Sequence, residues 1–132
     1  MRLLLDSHFV LWLAANPARI SEDEAKILAD TANTLIISAV SIWELHLKWS
    51  RLHKSGDHKL DVGPDVLLAF HLQTRSEFIA LNIQHAAAPL KYPIAHQDPF
   101  DQLLLVQAQE LEIKLFTRDA QLLGHPLVVT AP

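Results

Sequence analysis

A chain of 132 residues is the size of one ordinary domain, and with half of those residues hydrophobic it can bury a core without covalent staples. The lack of cysteine excludes disulfides, thiolate metal sites and a cysteine nucleophile, and it suits a reducing cytoplasm. A formal net charge of -4 argues against a broadly polyanion-binding surface, yet setting aside five acids (Asp6, Glu44, Asp98, Asp101 and Asp119) leaves the rest of the chain at plus 1.

Arg2 to Leu5 predicts a buried strand ending at Asp6, and His8 to Ala15 a helix stopped by Asn16-Pro17. The opening stretch has the basic residue and apolar run of a signal peptide, but Asp6 and His8 interrupt it. No apolar run approaches the roughly 18 residues of a membrane helix, so a soluble protein is expected. Ser21 followed three residues later by Glu24 is a capping-box signature for a helix through Ala29. Leu35 to Ile37 predicts a second strand, and Ser38 or Ser41 leads into a helix carrying Trp43, Leu47 and Trp49.

Leu52 to Gly63, polar, basic and glycine-punctuated, reads as a loop or arm. Pro64 is placed to start a helix to about Arg75. Phe78 to Leu81 predicts a third strand, after which Asn82 caps a short helix disturbed by Pro89. Asp98-Pro99 opens a long amphipathic helix to about Leu111; Ile113 to Phe116 and Leu127 to Val129 supply the fourth and fifth strands. Strands separated by helices imply an α/β fold, a parallel sheet of four to five strands covered on both faces, spanning residues 1–132 as one domain.

In such sheets ligands gather beyond the carboxyl ends of the strands, where loops converge and helix N-termini point outward. Asp6 and Asp119 each follow an apolar strand at that edge; Glu44 and Asp101 fall in the first turns of their helices. Each acid also has a plainer role. Asp6, Asp98 and Asp119 are favoured N-caps, Asp101 complements a helix dipole, and Glu44 can pair with Lys48 at i, i+4. Convergence on one edge favours a shared purpose, because crowded carboxylates repel and a hard divalent ion relieves that repulsion. An open acidic pocket of this kind suits phosphodiester chemistry, with one or two metal ions activating water, and requires neither a serine triad nor a histidine base.

LLLDSH (Leu3 to His8), SAVSIWEL (Ser38 to Leu45), HQDPFDQLLLVQA (His96 to Ala108) and LFTRD (Leu115 to Asp119) resemble, in order and across nearly the whole chain, the four motif blocks of PIN-domain toxins of the VapC type. The resemblance implies a PIN-like three-layer fold with a twisted parallel sheet, and endonucleolytic cleavage of RNA. It places Asp6, Glu44, Asp101 and Asp119 as the acidic quartet for magnesium or manganese, with Asp98 as an additional acid and Thr117 or Ser7 adding a hydroxyl near the metal water. It also implies a small cognate antitoxin protein inserting near the acidic groove, and a homodimer. Serine at position 7, Gln102 and Arg118 depart from the usual pattern, the last two at positions able to alter substrate contacts, and leave the quartet whole.

The eight histidines show no ligand pair at helical spacing on one obvious face, so hydrogen-bonded or surface roles are expected; His8 and His46 lie nearest the pocket in sequence. Lys48, Arg51, Lys54 and Lys59 form the densest basic stretch, suited to an RNA backbone or simply to solvent. Trp12, Trp43 and Trp49, with Phe9 and Leu47, are core or a dimer or partner surface. Two rivals stand beside this reading: a noncatalytic RNA-binding or scaffolding module on the same fold, and a phosphoacceptor signalling domain, which also uses a parallel sheet and magnesium-binding aspartates. The latter requires adjacent acids after the first strand, an acceptor aspartate after the third and a lysine after the fifth; this chain has one acid, Asn82 and no lysine in those places.

Overall fold

The computed structural model of the protein describes residues 1–55, 60, 62–96 and 98–132. In chain order the elements are β1 (Arg2–Leu5), α1 (Ser7–Ala15), a short 3-10 turn (Pro17–Arg19), α2 (Glu22–Ala29), β2 (Thr34–Ser38), α3 (Ala39–Ser55), α4 (Pro64–Leu72), β3 (Glu77–Ile79), α5 (Ile83–Ala87), α6 (Pro99–Leu111), β4 (Lys114–Phe116) and β5 (Val128–Val129). The five strands form one sheet in the order β3-β2-β1-β4-β5, every neighbouring pair parallel. None of the described helices is long and apolar enough to cross a membrane.

Because side chains alternate along a strand, β1 divides its apolar run between two cores. Leu3 and Leu5 join Phe9, Val10 and Trp12 of α1, Leu45 of α3 and Leu67 of α4 on one face. Leu4 faces Val40 of α3 and Leu104, Leu105 and Ala108 of α6 on the other. The result is the expected three-layer architecture. Phe9 stacks on Phe116 with ring centroids 4.8 Å apart, and both are about 1% exposed. Of the two roles expected for them, Phe9 and Trp12 take that of core, whereas Trp43 is 53% exposed.

Local chemistry sets the helix ends. The Ser21 hydroxyl accepts from the Glu24 amide at 3.1 Å while the Glu24 carboxylate accepts from the Ser21 amide at 2.8 Å, the reciprocal capping box. Glu24 also pairs with Arg118, whose guanidinium donates to the Arg19 carbonyl and lies 4.4 Å from the Trp12 ring centre. Arg118 therefore binds α2 to the sheet edge.

Two boundaries differ from expectation. Helix α3 continues to Ser55, so the segment read as a loop from Leu52 begins as helix; Lys59 and the side chain of Lys54 lie outside the described residues. Strand β3 begins one residue earlier than predicted and ends at Ile79, because it is an edge strand: Glu77 faces Arg2 in a two-pronged ion pair and Phe78 is 42% exposed.

Candidate active site

The β1–β4 ladder carries Asp6 to the carboxyl edge of the sheet, with the Asp6 amide donating to the Phe116 carbonyl at 3.1 Å. One carboxylate oxygen of Asp6 accepts from the His8 amide and caps α1. The other accepts from the Thr117 hydroxyl, and the same hydroxyl receives the Asp119 amide at 3.1 Å. Thr117 thereby joins the acid after β1 to the acid after β4. Asp119 starts no helix; its carboxylate accepts from the Gln121 amide in a turn.

Asp98 is the N-cap of α6, its Oδ1 accepting from the amides of Phe100 and Asp101. Pro99 occupies the first helical position, where its missing N–H costs nothing, so Asp101 falls in the first turn on the side of the sheet edge. Asp101 Oδ2 lies 2.8 Å from His96 Nε2. One ligand atom each from His96, Asp101 and Asp119 lies within 4.8 Å of the others. Burial, reinforced by the charges of Asp98, Asp6 and Asp119, pushes the Asp101 carboxyl up to about 6 against the opposing bond to His96.

Asp6 moves the other way. Burial works to raise it, but hydrogen bonds from His8 and Thr117 outweigh burial and hold it below the ordinary carboxyl range. His8, 3.5 Å from Asp6, is raised by that bond against burial. Glu44 is buried on α3 beside this group, its Oε1 accepting from the Ser7 hydroxyl at 2.6 Å and its Oε2 paired with Lys48 at 2.8 Å. The structure thus brings Asp101, Asp119 and His96 together, sets Asp6 and Asp98 near enough to act on Asp101, and places Glu44 behind Ser7 with its charge already partnered. The Ser7 and Thr117 hydroxyls are turned to carboxylates, which fixes the acids' orientation.

His96 was not singled out by sequence reasoning; it takes the hydrogen-bonded role expected of the histidines, on an acid of the cluster. It reaches Asp101 across the Asp98-Pro99 turn, so no helical spacing announces it; its one signal is its position two residues before Asp98. His46 instead packs its ring 5.2 Å from Trp43 beside an apolar groove.

Comparison with known proteins agrees with this architecture. The sequence pattern of the PIN domain matches residues 3–124. Ribonuclease VapC22 of Mycobacterium tuberculosis is 29% identical over 128 residues, covering 93% of this chain and 91% of that protein. Among solved structures, VapBC2 from Rickettsia felis, bound to a DNA fragment from its promoter, superposes with a TM-score of 0.66 at 16% identity over 100% of both chains. VapBC-1 from nontypeable Haemophilus influenzae superposes with a TM-score of 0.52 at 22% identity, over 90% of this chain and 87% of that one. With the pattern spanning nearly its whole length and the fold shared, this chain belongs to the PIN domain family.

Proposed function

We propose that the protein is a divalent-metal-dependent endoribonuclease acting as the toxin of a toxin–antitoxin pair in the cytoplasm, working as a homodimer and held inactive by a cognate antitoxin protein. The observation that carries the proposal is the cluster of His96, Asp101 and Asp119, in which like charges and burial leave Asp101 with a proton up to about pH 6. Those donors fit a hard cation, since carboxylate oxygens suit magnesium and manganese. Asp6, Asp101 and Asp119, with Asp98 and Glu44 at the margins, would hold it. A bound ion of this kind acidifies water and neutralises charge developing on a phosphodiester.

The chain's own residues prepare that pocket. Thr117 and His8 lock the Asp6 carboxylate, keeping it ionised at neutral pH. His96 orients Asp101, as hydrogen-bonded partners of metal-binding groups do. Lys48 balances the charge of Glu44, the buried acid whose other oxygen holds the Ser7 hydroxyl. Similarity to Ribonuclease VapC22 supports RNA as substrate, and likeness of fold to two VapBC structures supports the antitoxin.

Labelled RNAs incubated with the purified protein and magnesium, manganese or EDTA test the proposal. Cleavage that requires metal and is abolished in both Asp6→Asn and Asp101→Asn is expected. Metal-dependent cleavage retained in both variants refutes the site, and chelator-insensitive binding with no cleavage identifies a noncatalytic RNA-binding module instead.

A further inference from the structure

The acidic pocket has a basic flank, and it belongs to α3. Glu44, Lys48 and Arg51 follow one another at i, i+4 and i+7, a spacing that sets them in one stripe along the helix, with Arg51 about 10 Å beyond Glu44. The near end of the stripe is joined to the pocket by direct contacts. Ser7, next to Asp6, donates its hydroxyl to Glu44 Oε1, and Glu44 Oε2 holds Lys48 Nζ at 2.8 Å. The exposed His8 ring reaches Asp6 at 3.5 Å and also feels the charges of Lys48 and Glu44, so Lys48 and Asp6 border the same mouth.

The other walls offer no comparable charge. Helix α6 carries no lysine or arginine from Pro99 to Leu111, and its first turn is acidic. Arg118 spends its guanidinium on Glu24 and the Arg19 carbonyl, and both Arg118 and Arg19 lie over the Trp12 ring. Arg2 and Lys114 stand at the opposite, amino edge of the sheet, the first paired with Glu77 and the second donating to the Pro126 carbonyl. Arg51 is exposed, and its guanidinium has no ion pair or hydrogen bond among the described residues. Lys48, its side chain 46% exposed, spends one of an ammonium's three donors on Glu44 and keeps the others.

We infer that one arm of the RNA strand leaves the acidic pocket along α3, with Lys48 and Arg51 holding backbone phosphates next to the scissile one. The inference rests on the nuclease proposal above. A protein of net charge -4 does not draw in a polyanion by its overall field, so a local stripe of cations has to. A strand whose scissile phosphate sits on the metal carries a negative charge on each neighbouring nucleotide. The α3 flank neutralises those charges, whereas Asp98 and Asp101 at the start of α6 repel them. Lys48 and Arg51 are thus positioning residues that grip the backbone and read no base, and the acids remain the groups that act on the phosphate.

The salt dependence of RNA binding tests it. Fluorescence anisotropy of a short labelled single-stranded RNA with the whole chain in EDTA, across a series of salt concentrations, gives the slope of log affinity against log salt; a parallel assay with manganese reads cleavage. Arg51→Gln should lower the steepness of that slope by about 0.7, the share of one phosphate contact on a single strand. Arg51→Lys, which keeps the charge, should restore it, and Lys114→Gln on the amino edge should leave it unchanged. No binding by the wild-type chain at the lowest salt, or equal slopes in wild type and Arg51→Gln, overturns the path, and manganese-dependent cleavage in the same preparations leaves the nuclease proposal standing. A slope lowered in Arg51→Gln without any cleavage supports the basic flank and sinks the nuclease proposal. A slope unchanged for RNA but lowered for poly-glutamate assigns the stripe to an acidic protein segment and overturns the inference.

Discussion

At the residue scale, Asp101 and Asp6 show how one pocket sets two carboxylates apart. Asp101, half-buried beside three other acids, is raised to about 6, while the bonds Asp6 receives from His8 and Thr117 depress it. A raised carboxyl contributes stability that is full below its unfolded value and lost as pH climbs through the folded one, so without metal Asp101 destabilises the protein between about pH 4 and pH 6 and above. Asp101→Asn should therefore raise the melting temperature in EDTA at pH 7.5 while lowering RNA cleavage by a factor on the order of 10²–10³. An unchanged melting temperature would show that the acids do not strain one another. Metal competes with that proton, so manganese affinity should weaken about tenfold for each pH unit below about 6, measured by calorimetry across pH 5 to 7.5. The acids of this pocket were legible in sequence because each follows an apolar strand or opens a helix. His96 was not, since nothing local distinguishes a histidine that reaches over a turn from one that faces solvent.

Elements show where local signals suffice and where tertiary context decides. The capping box at Ser21 could be read directly from its spacing and is present; Ser21→Ala should cost about 1 kcal/mol in denaturant unfolding without altering cleavage. Helix α6 likewise begins at Asp98-Pro99 and ends at Leu111 as its sequence demands, and its C-cap is Glu112, whose φ of 55° is a left-handed conformation that glycine adopts without strain. Glu112→Gly should stabilise the protein by roughly 0.5–1 kcal/mol, and a loss of stability would mean that the Glu112 side chain contributes more than its backbone costs. The overrun of α3 and the displacement of β3 have separate causes. Polar residues that form helices well look like a loop when hydrophobic periodicity fades, and an exposed Phe78 looks like core when an edge strand is not anticipated.

Across the whole molecule, the alternation of apolar residues within β1 sends neighbouring leucines into two cores, which is why a parallel sheet with helices on both faces was readable from the strand and helix pattern alone. The contacts that lock the layers were not readable. His71 of α4 is 1% exposed and donates from Nε2 to the Val10 carbonyl of α1 at 2.7 Å, its other ring nitrogen buried without a partner among the described residues. Burial depresses its proton affinity, outweighing the bond to Val10, so the unfolded chain binds the proton more readily. Stability from His71 is present above about pH 6.5 and lost as pH falls below it, and His71→Gln should flatten that part of the unfolding profile between pH 7 and pH 5. The same layers bring acids from both ends of the sequence to one sheet edge, and titration of manganese into the protein at pH 7.5 asks most directly whether they serve a cation. Saturable binding by the wild-type chain, weakened at least about tenfold in Asp101→Asn and in Asp119→Asn, is the predicted result. No saturable binding, or equal affinity in all three proteins, would contradict it.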